Sequence, residues 1–358
     1  MAHRKPKIDE KMAGTMAHDI YGLTEITEVK ELISFYDINF QVKTRPNSAG
    51  LPNRFVLKVL NSSDSQHPEC ILAEVEAMEF LRSKGFPCPK VFPVYRGNEF
   101  IATVNLDDSE MNNIEAHVVR LISFLDGTTA DKIVRNPDLL YTIGTVVGST
   151  SKQLKEFSHE GIKLRTSLGF KWNILEFLDI EKYINSCNDI EEIRLIREVH
   201  AAFMTKVKPQ LGLFRSGTIH NDLNGQNILV SNSPYRLTGI IDFGDMVTSL
   251  LISELSNSMA FFMEGDCGVE FSGYLLAGYN SVFPLPDEER ELLYYFVAAR
   301  LCQLIMYSNS NLDQGTTEEN VQACLQKYNR ILVDFWGRKK HEVEEIWRLA
   351  EIKSRALK

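Results

Sequence analysis

Two short segments hold residue types whose spacing suits chemistry. His220-Asn221-Asp222-Leu223-Asn224-Gly225-Gln226-Asn227 is followed by an apolar run and a turn, then by Ile240-Ile241-Asp242-Phe243-Gly244-Asp245. An aspartate can accept the proton of an attacking hydroxyl, while an asparagine and a second aspartate hold a hard cation on nucleotide phosphates. Asp222 is the candidate base, and Asn227 and Asp242 are the candidate Mg2+ ligands. Ile228-Leu229-Val230 and Leu237 to Ile241 read as two strands around the turn Ser231-Asn232-Ser233-Pro234. A hairpin returns its second strand to the start of the first, which sets Asp242 beside Asn227.

Other elements must present a nucleotide to this pair. Asn39 to Lys43 and Phe55 to Leu60 read as strands. In the second, Phe55, Leu57 and Val59 share one face, and Val56, Lys58 and Leu60 share the other. Cys70 to Lys84 has helical periodicity, with Ile71, Val75, Met78 and Leu81 on one stripe and Glu74 among them. A glutamate on a buried face needs a cation, and Lys58 is the natural one. The pair would hold the lysine against nucleotide phosphates. Ser34 to Asn39 precedes the first of these strands. The segment lacks a Gly-x-Gly-x-x-Gly pattern; either it is a plain turn, or its backbone amides and the Ser34 or Asn39 side chains reach phosphate oxygens. His117 to Gly127 reads as a strand ending in a turn, where backbone groups at Ser123 and Leu125 would meet a purine edge.

Beyond Gly127 helical patterns dominate: Leu139 to Phe157, Ile190 to Lys206, Glu254 to Glu264, Leu292 to Tyr307 and Val321 to Leu349, the last broken near Gly337. The layout predicts an α+β, bilobal architecture with a small, mostly-β N-lobe carrying one helix and a larger, mostly-α C-lobe. A flexible tail is expected over 1–16, the nucleotide-binding lobe over 17–122, a hinge over 123–127 and the catalytic and substrate lobe over 128–358.

At 358 residues the chain exceeds what one core usually organises. A hydrophobic share of 44% and a charged share of 24% suit a globular protein. The net charge of −9 argues against a nucleic-acid surface, which needs a basic excess. Six dispersed cysteines without a Cys-x-x-Cys pair read as reduced thiols of a cytoplasmic protein. Leu292 to Tyr307 is the longest apolar stretch, 16 residues with Arg300 inside, and is too short for a membrane span.

These residues resemble the aminoglycoside and choline kinase branch of the protein-kinase-like fold. Its catalytic loop reads His-Gly-Asp-Leu-x-x-x-Asn and its metal segment Ile-Asp-Phe-Gly-Asp. Gly85-Phe86-Pro87-Cys88-Pro89-Lys90-Val91 and Phe124-Leu125-Asp126-Gly127 also fit. A narrower match within the branch runs over nearly the whole length and takes in Tyr36-Asp37, Trp172-Asn173, Gly239 to Met246, Arg300 to Gln303 and Val343 to Trp347. Within the branch, the match implies transfer of the γ-phosphoryl of GTP, with Mg2+, to the side-chain hydroxyl of 5-hydroxy-L-lysine in the cytoplasm. ATP is the alternative donor. Asn221 stands where the branch has glycine, a position that suggests positive φ, and asparagine tolerates that region.

The remaining polar residues have open roles. His220 is expected to hold the loop. Asp245 would orient the loop or meet a cationic substrate, and Glu254, near the start of a helix, would anchor the loop or serve as a favourable helix-dipole charge. Trp172 lines the acceptor pocket or belongs to the core. Arg300, alone in an apolar helix, must be paired. It either neutralises an internal carboxylate such as Asp245 or Glu254, or grips the carboxylate of an amino-acid substrate. The competing functions are a kinase for another cationic hydroxyl compound, such as an aminoglycoside or amino alcohol, and an inactive nucleotide-binding scaffold. The intact set Lys58, Glu74, Asp222, Asn227 and Asp242 argues against the scaffold.

Overall fold

The computed structural model describes residues 5–46, 52–108, 113–310 and 318–357. The chain divides into two units, Met1–Asp126 and Gly127–Lys358. The first contains α1 (Glu10–Tyr21), β1 (Ile26–Leu32), β2 (Ile38–Thr44), β3 (Arg54–Val59), α2 (Pro68–Ser83), β4 (Val91–Phe92), β5 (Ala102–Asp108) and β6 (Asn113–Ser123). Its six strands form an antiparallel sheet in the order β1-β2-β3-β6-β4, with β5 also pairing with β6.

Strand alternation separates two faces. Phe40, Val42, Leu57, Val59, Val119 and Leu121 pack with α1, whereas Leu60 and Val118 pack with Ile71 of α2. The face expected for Lys58 is thus the face that meets α2.

The tail expected over 1–16 needs correction from residue 10 onward, while residues 1–4 lie outside the described set. Asp9 caps α1 by accepting from Met12 N at 2.7 Å, and Ala13, Met16, Ala17 and Tyr21 are buried against the sheet. A polar N-terminus concealed this helix. Burial of its larger apolar side chains, worth about 1.5–3 kcal/mol each, holds it down. Among its described residues the first unit therefore has two α-helices rather than one. It also has a strand, β1, ahead of the first one expected, so residues 33–37 form the turn of the β1–β2 hairpin.

The second unit runs β7 (Thr128–Thr129), α3 (Pro137–Leu154), α4 (Glu160–Ser167), α5 (Ile190–Lys206), β8 (Ser216–Ile219), β9 (Ile228–Val230), β10 (Leu237–Ile240), β11 (Val247–Leu250), α6 (Leu251–Phe262), α7 (Gly268–Val282), α8 (Asp287–Ser310), α9 (Glu318–Gly337) and α10 (Lys340–Ser354). The expected helices are present, with the last broken between Gly337 and Lys340. α7 was not anticipated. It packs on α3 with backbones nearly touching: a Cβ on Gly278 would collide with the Tyr141 carbonyl oxygen, and one on Gly144 with that of Leu275. Among the described residues no helix is long and apolar enough to cross a membrane.

Two small sheets, β10-β9-β7 and β11-β8, position the chemistry. The 220–227 loop runs from β8 to β9, and the 241–246 segment runs from β10 to β11. Because β8 pairs with β11 and β9 with β10, the two connections lie side by side.

Candidate active site

Backbone geometry sets the catalytic loop. Asn221 has φ 68°, the left-handed conformation expected of a residue standing in for glycine. Glu254, fully buried on α6, accepts from His220 N at 2.6 Å and from Asn221 N at 3.1 and 3.2 Å. It is the loop anchor. Burial pushes its carboxyl up to about 7, against the pull of the Asn221, His220 and Leu223 amides and of Arg300. The His220 ring lies between the two segments, its Nδ1 3.3 Å from Asp222 N and its Nε2 3.1 Å from Ile241 O. A tautomer with the proton on Nε2 satisfies both bonds. His220 is therefore a brace.

Asp222 is held at both oxygens. Asn224 Nδ2 donates to Oδ1 at 2.7 Å and Asn227 Nδ2 to Oδ2 at 2.6 Å. Asn224 was not singled out from the sequence, although it lies inside the motif. Burial raises the Asp222 carboxyl, the Asp245 charge raises it further, and Arg300 opposes both. Ile241 N donates to Asn227 O at 3.0 Å, so the hairpin does bring the residue preceding Asp242 onto Asn227. Asp242 is exposed and has φ 62°, a sparsely populated conformation for a non-glycine residue. Among the described residues no group of three or more His, Cys, Asp and Glu side chains could hold a metal. A cation here would have the Asn227 side-chain oxygen and the Asp242 carboxylate, with phosphates and water completing its shell. Mg2+ is commonly bound in that way, and the negative charges of Asp222, Asp242 and Asp245 suit a divalent ion.

In the first unit, Asn39, Lys58 and Arg120 form a cross-strand row over β2, β3 and β6. Glu74 of α2 is buried, as expected. The partners include two that sequence reading missed: Arg120 Nη1 donates to Glu74 Oε2 at 2.6 Å, and Lys58 Nζ lies 3.0 Å from Asp37 Oδ2. Arg120 carried the same signal as Lys58, a charge within an apolar strand. Asp37 also accepts from Asn61 N and Nδ2, which pins the β1–β2 turn to the end of β3. The Ser34 hydroxyl donates to Asp37 O at 2.7 Å, and Asn39 Oδ1 is buried without a hydrogen-bond partner. The Ser123 N–H donates to Lys90 O at 2.8 Å, so that N–H is not free for a base edge. Leu125 is half-buried just before Asp126, which Arg54 holds.

On the acceptor side, Trp172, Asn173, Gln303 and Arg300 interlock. Trp172 O accepts from Arg300 Nη1 at 3.0 Å and from Asn221 Nδ2 at 3.3 Å, tying the turn to the catalytic loop. Gln303 Nε2 donates to Asn173 O at 2.9 Å. The half-buried Trp172 ring has Arg300 on it at 5.0 Å and Lys171 at 5.7 Å, with Tyr307 edge-on. Burial lowers the Lys171 ammonium, and the charge of half-buried Asp245 opposes that shift. The oxygens that Arg300 meets are Trp172 O, Gln303 Oε1 and Asn221 O. None is a carboxylate, so the internal ion pair with Asp245 or Glu254 is not formed.

A carboxylate held at both oxygens beside the side chains of Asn227 and Asp242 suits phosphoryl transfer. The phosphotransferase enzyme family matches residues 28–292, and the chain belongs to that family, with an alcohol group as acceptor. Within it the chain resembles hydroxylysine kinase. It is 30% identical over 349 residues to that of Danio rerio, covering 96% of each chain. It is 31% identical over 356 residues to that of Xenopus laevis, covering 96% of this chain and 94% of the relative. Among solved structures, a microcompartment-associated aminopropanol kinase superposes with a TM-score of 0.69 at 19% identity, covering 91% of this chain and 96% of its own. The fold is the bilobal protein-kinase-like one, and the enzyme is a kinase for a hydroxylated amine.

Proposed function

We propose that the chain transfers the γ-phosphoryl of GTP to the side-chain hydroxyl of 5-hydroxy-L-lysine in the cytoplasm, with Mg2+ on the nucleotide. Similarity to hydroxylysine kinase over nearly the full length supports the substrate. The carboxylate of Asp222, clamped by Asn224 and Asn227, carries the reaction type. In this reading Asp222 accepts the hydroxyl proton as the new P–O bond forms, and the bond from the γ-phosphorus to the bridging oxygen breaks to release GDP. Asn227 and Asp242 would hold Mg2+, which supplies charge neutralisation on the phosphates.

Lys58, 3.0 Å from Asp37 and paired in this reading with Glu74, would donate to phosphate oxygens, joined by the Asn39 amide nitrogen and backbone amides near Ser34. The Ser123 carbonyl and Leu125 would meet the purine. Asp245 would receive a substrate ammonium and Trp172 would wall the acceptor site.

The test is substrate-dependent GDP or ADP release across amino acids and amino alcohols. Hydroxylysine should be phosphorylated and lysine should not, since lysine has no hydroxyl, and GTP should give the higher kcat/KM. Turnover of choline with no product from hydroxylysine overturns the acceptor. Equal kcat/KM for GTP and ATP overturns the donor.

A further inference from the structure

Arg300 is buried at 4% exposure in the long apolar helix α8. Its contacts are three neutral oxygens: Trp172 O at 3.0 Å, Gln303 Oε1 at 3.4 Å and Asn221 O at 3.5 Å. A guanidinium offers five N–H donors, so two stay without an acceptor among the described residues. Desolvating a cation is costly when no anion accompanies it. Such a group persists where a ligand completes it.

Its position says which ligand. Asn221 immediately precedes Asp222, and Trp172 O is shared between Arg300 and Asn221 Nδ2. The guanidinium therefore lies beside the base, on the side formed by the half-buried Trp172 ring. Asp222 and Asp245 are the anions whose fields it feels. Both belong to the chemistry already assigned, and neither pairs with it directly.

We infer that Arg300 is a specificity-determining residue that binds the α-carboxylate of the acceptor and so selects hydroxylated amino acids over plain amino alcohols. The inference rests on the hydroxylysine reading and deepens it. A planar guanidinium with unused donors matches a carboxylate in geometry and charge. Arg300 Cζ lies over the Trp172 ring, 5.0 Å from its centroid, a cation–π contact that restricts the guanidinium.

The experiment compares hydroxylysine with hydroxylysinamide and with hydroxycadaverine, its decarboxylated analogue, in wild type, Arg300→Gln and Arg300→Lys. Wild type should favour hydroxylysine by about 10- to 100-fold in kcat/KM, the worth of one charged hydrogen-bonding pair. Arg300→Gln should lose that factor for hydroxylysine through KM, while hydroxycadaverine changes by less than about threefold. Arg300→Lys should recover part of the preference, because charge is kept and the fork is lost. The wild-type arm stands even if the variants fold poorly. Equal turnover of hydroxylysine and hydroxycadaverine by wild type, or equal losses on both in Arg300→Gln, overturns the clamp and leaves the hydroxylysine reading intact. Absence of any hydroxylysine turnover overturns that reading, and the clamp with it.

Discussion

Replacing Glu254 tests whether a single buried carboxylate holds the catalytic loop. It accepts from His220 N at 2.6 Å and Asn221 N at 3.1 and 3.2 Å, and all three residues are fully buried. In Glu254→Ala both N–H groups lose their acceptor where water is excluded. Each orphaned buried donor costs about 1–3 kcal/mol, so the pair costs roughly 2–6 kcal/mol. Asn221 is also the residue at φ 68°, and the lost bonds help to keep it there. Glu254→Gln keeps one acceptor oxygen and turns an NH2 group toward a donor, which should cost about half as much. Urea denaturation with linear extrapolation measures both, and kcat should fall with them as Asp222 loses its setting.

The pH dependence adds a sign. The folded carboxyl lies at about 7, above its ordinary value of 4.5. Between those values the folded state binds the proton more firmly than the unfolded chain. Stability from this group therefore declines as pH rises through that window and is level above it. Glu254→Gln removes the slope. Variants within about 0.5 kcal/mol of wild type, with unchanged pH dependence, would falsify the anchoring argument.

Asp222→Asn should cut turnover by about 10²–10⁴-fold with nucleotide binding near normal, since shape is kept and the proton acceptor is lost; turnover within about threefold of wild type removes Asp222 from the reaction. Asp242→Ala should shift the activating metal titration to higher Mg2+ and be partly rescued by Mn2+, and an unmoved titration contradicts a ligand role. Arg120→Met removes one partner of buried Glu74 and should cost about 1–3 kcal/mol in denaturation; stability within about 0.5 kcal/mol of wild type refutes that pairing. Gly278→Ala should lower stability by about 1–3 kcal/mol through overpacking of α3 on α7, and an unchanged Tm refutes that contact.

Local pattern made much of the site legible. Asp222, Asn227 and Asp242 are joined by one short hairpin, so few chain degrees of freedom separate them and spacing alone implied their proximity. The left-handed backbone at Asn221 was implied by the glycine that the resembled branch has there, and asparagine tolerates it. Lys58 and Glu74 announced themselves as charges on faces that periodicity marks as buried, and the breaks at Gly85 and Gly337 are punctuation that any helix obeys.

What escaped the sequence depends on register and on contacts between distant segments. Arg120 faces Glu74 because β6 pairs with β3 in one alignment, and a shift of one residue would turn it to the other face. α1 has a polar beginning, and only the sheet it covers makes its apolar residues a face. α7 carries glycines that disfavour helix in isolation, and they are needed because α3 lies against its backbone. For Arg300 the sequence demanded a partner and left two open. Tertiary packing removed the internal carboxylate by giving the guanidinium peptide and amide oxygens 79 and 128 residues away along the chain, and 3 residues away on its own helix. A sequence states which charges must be satisfied, and the folded geometry determines what is left to satisfy them.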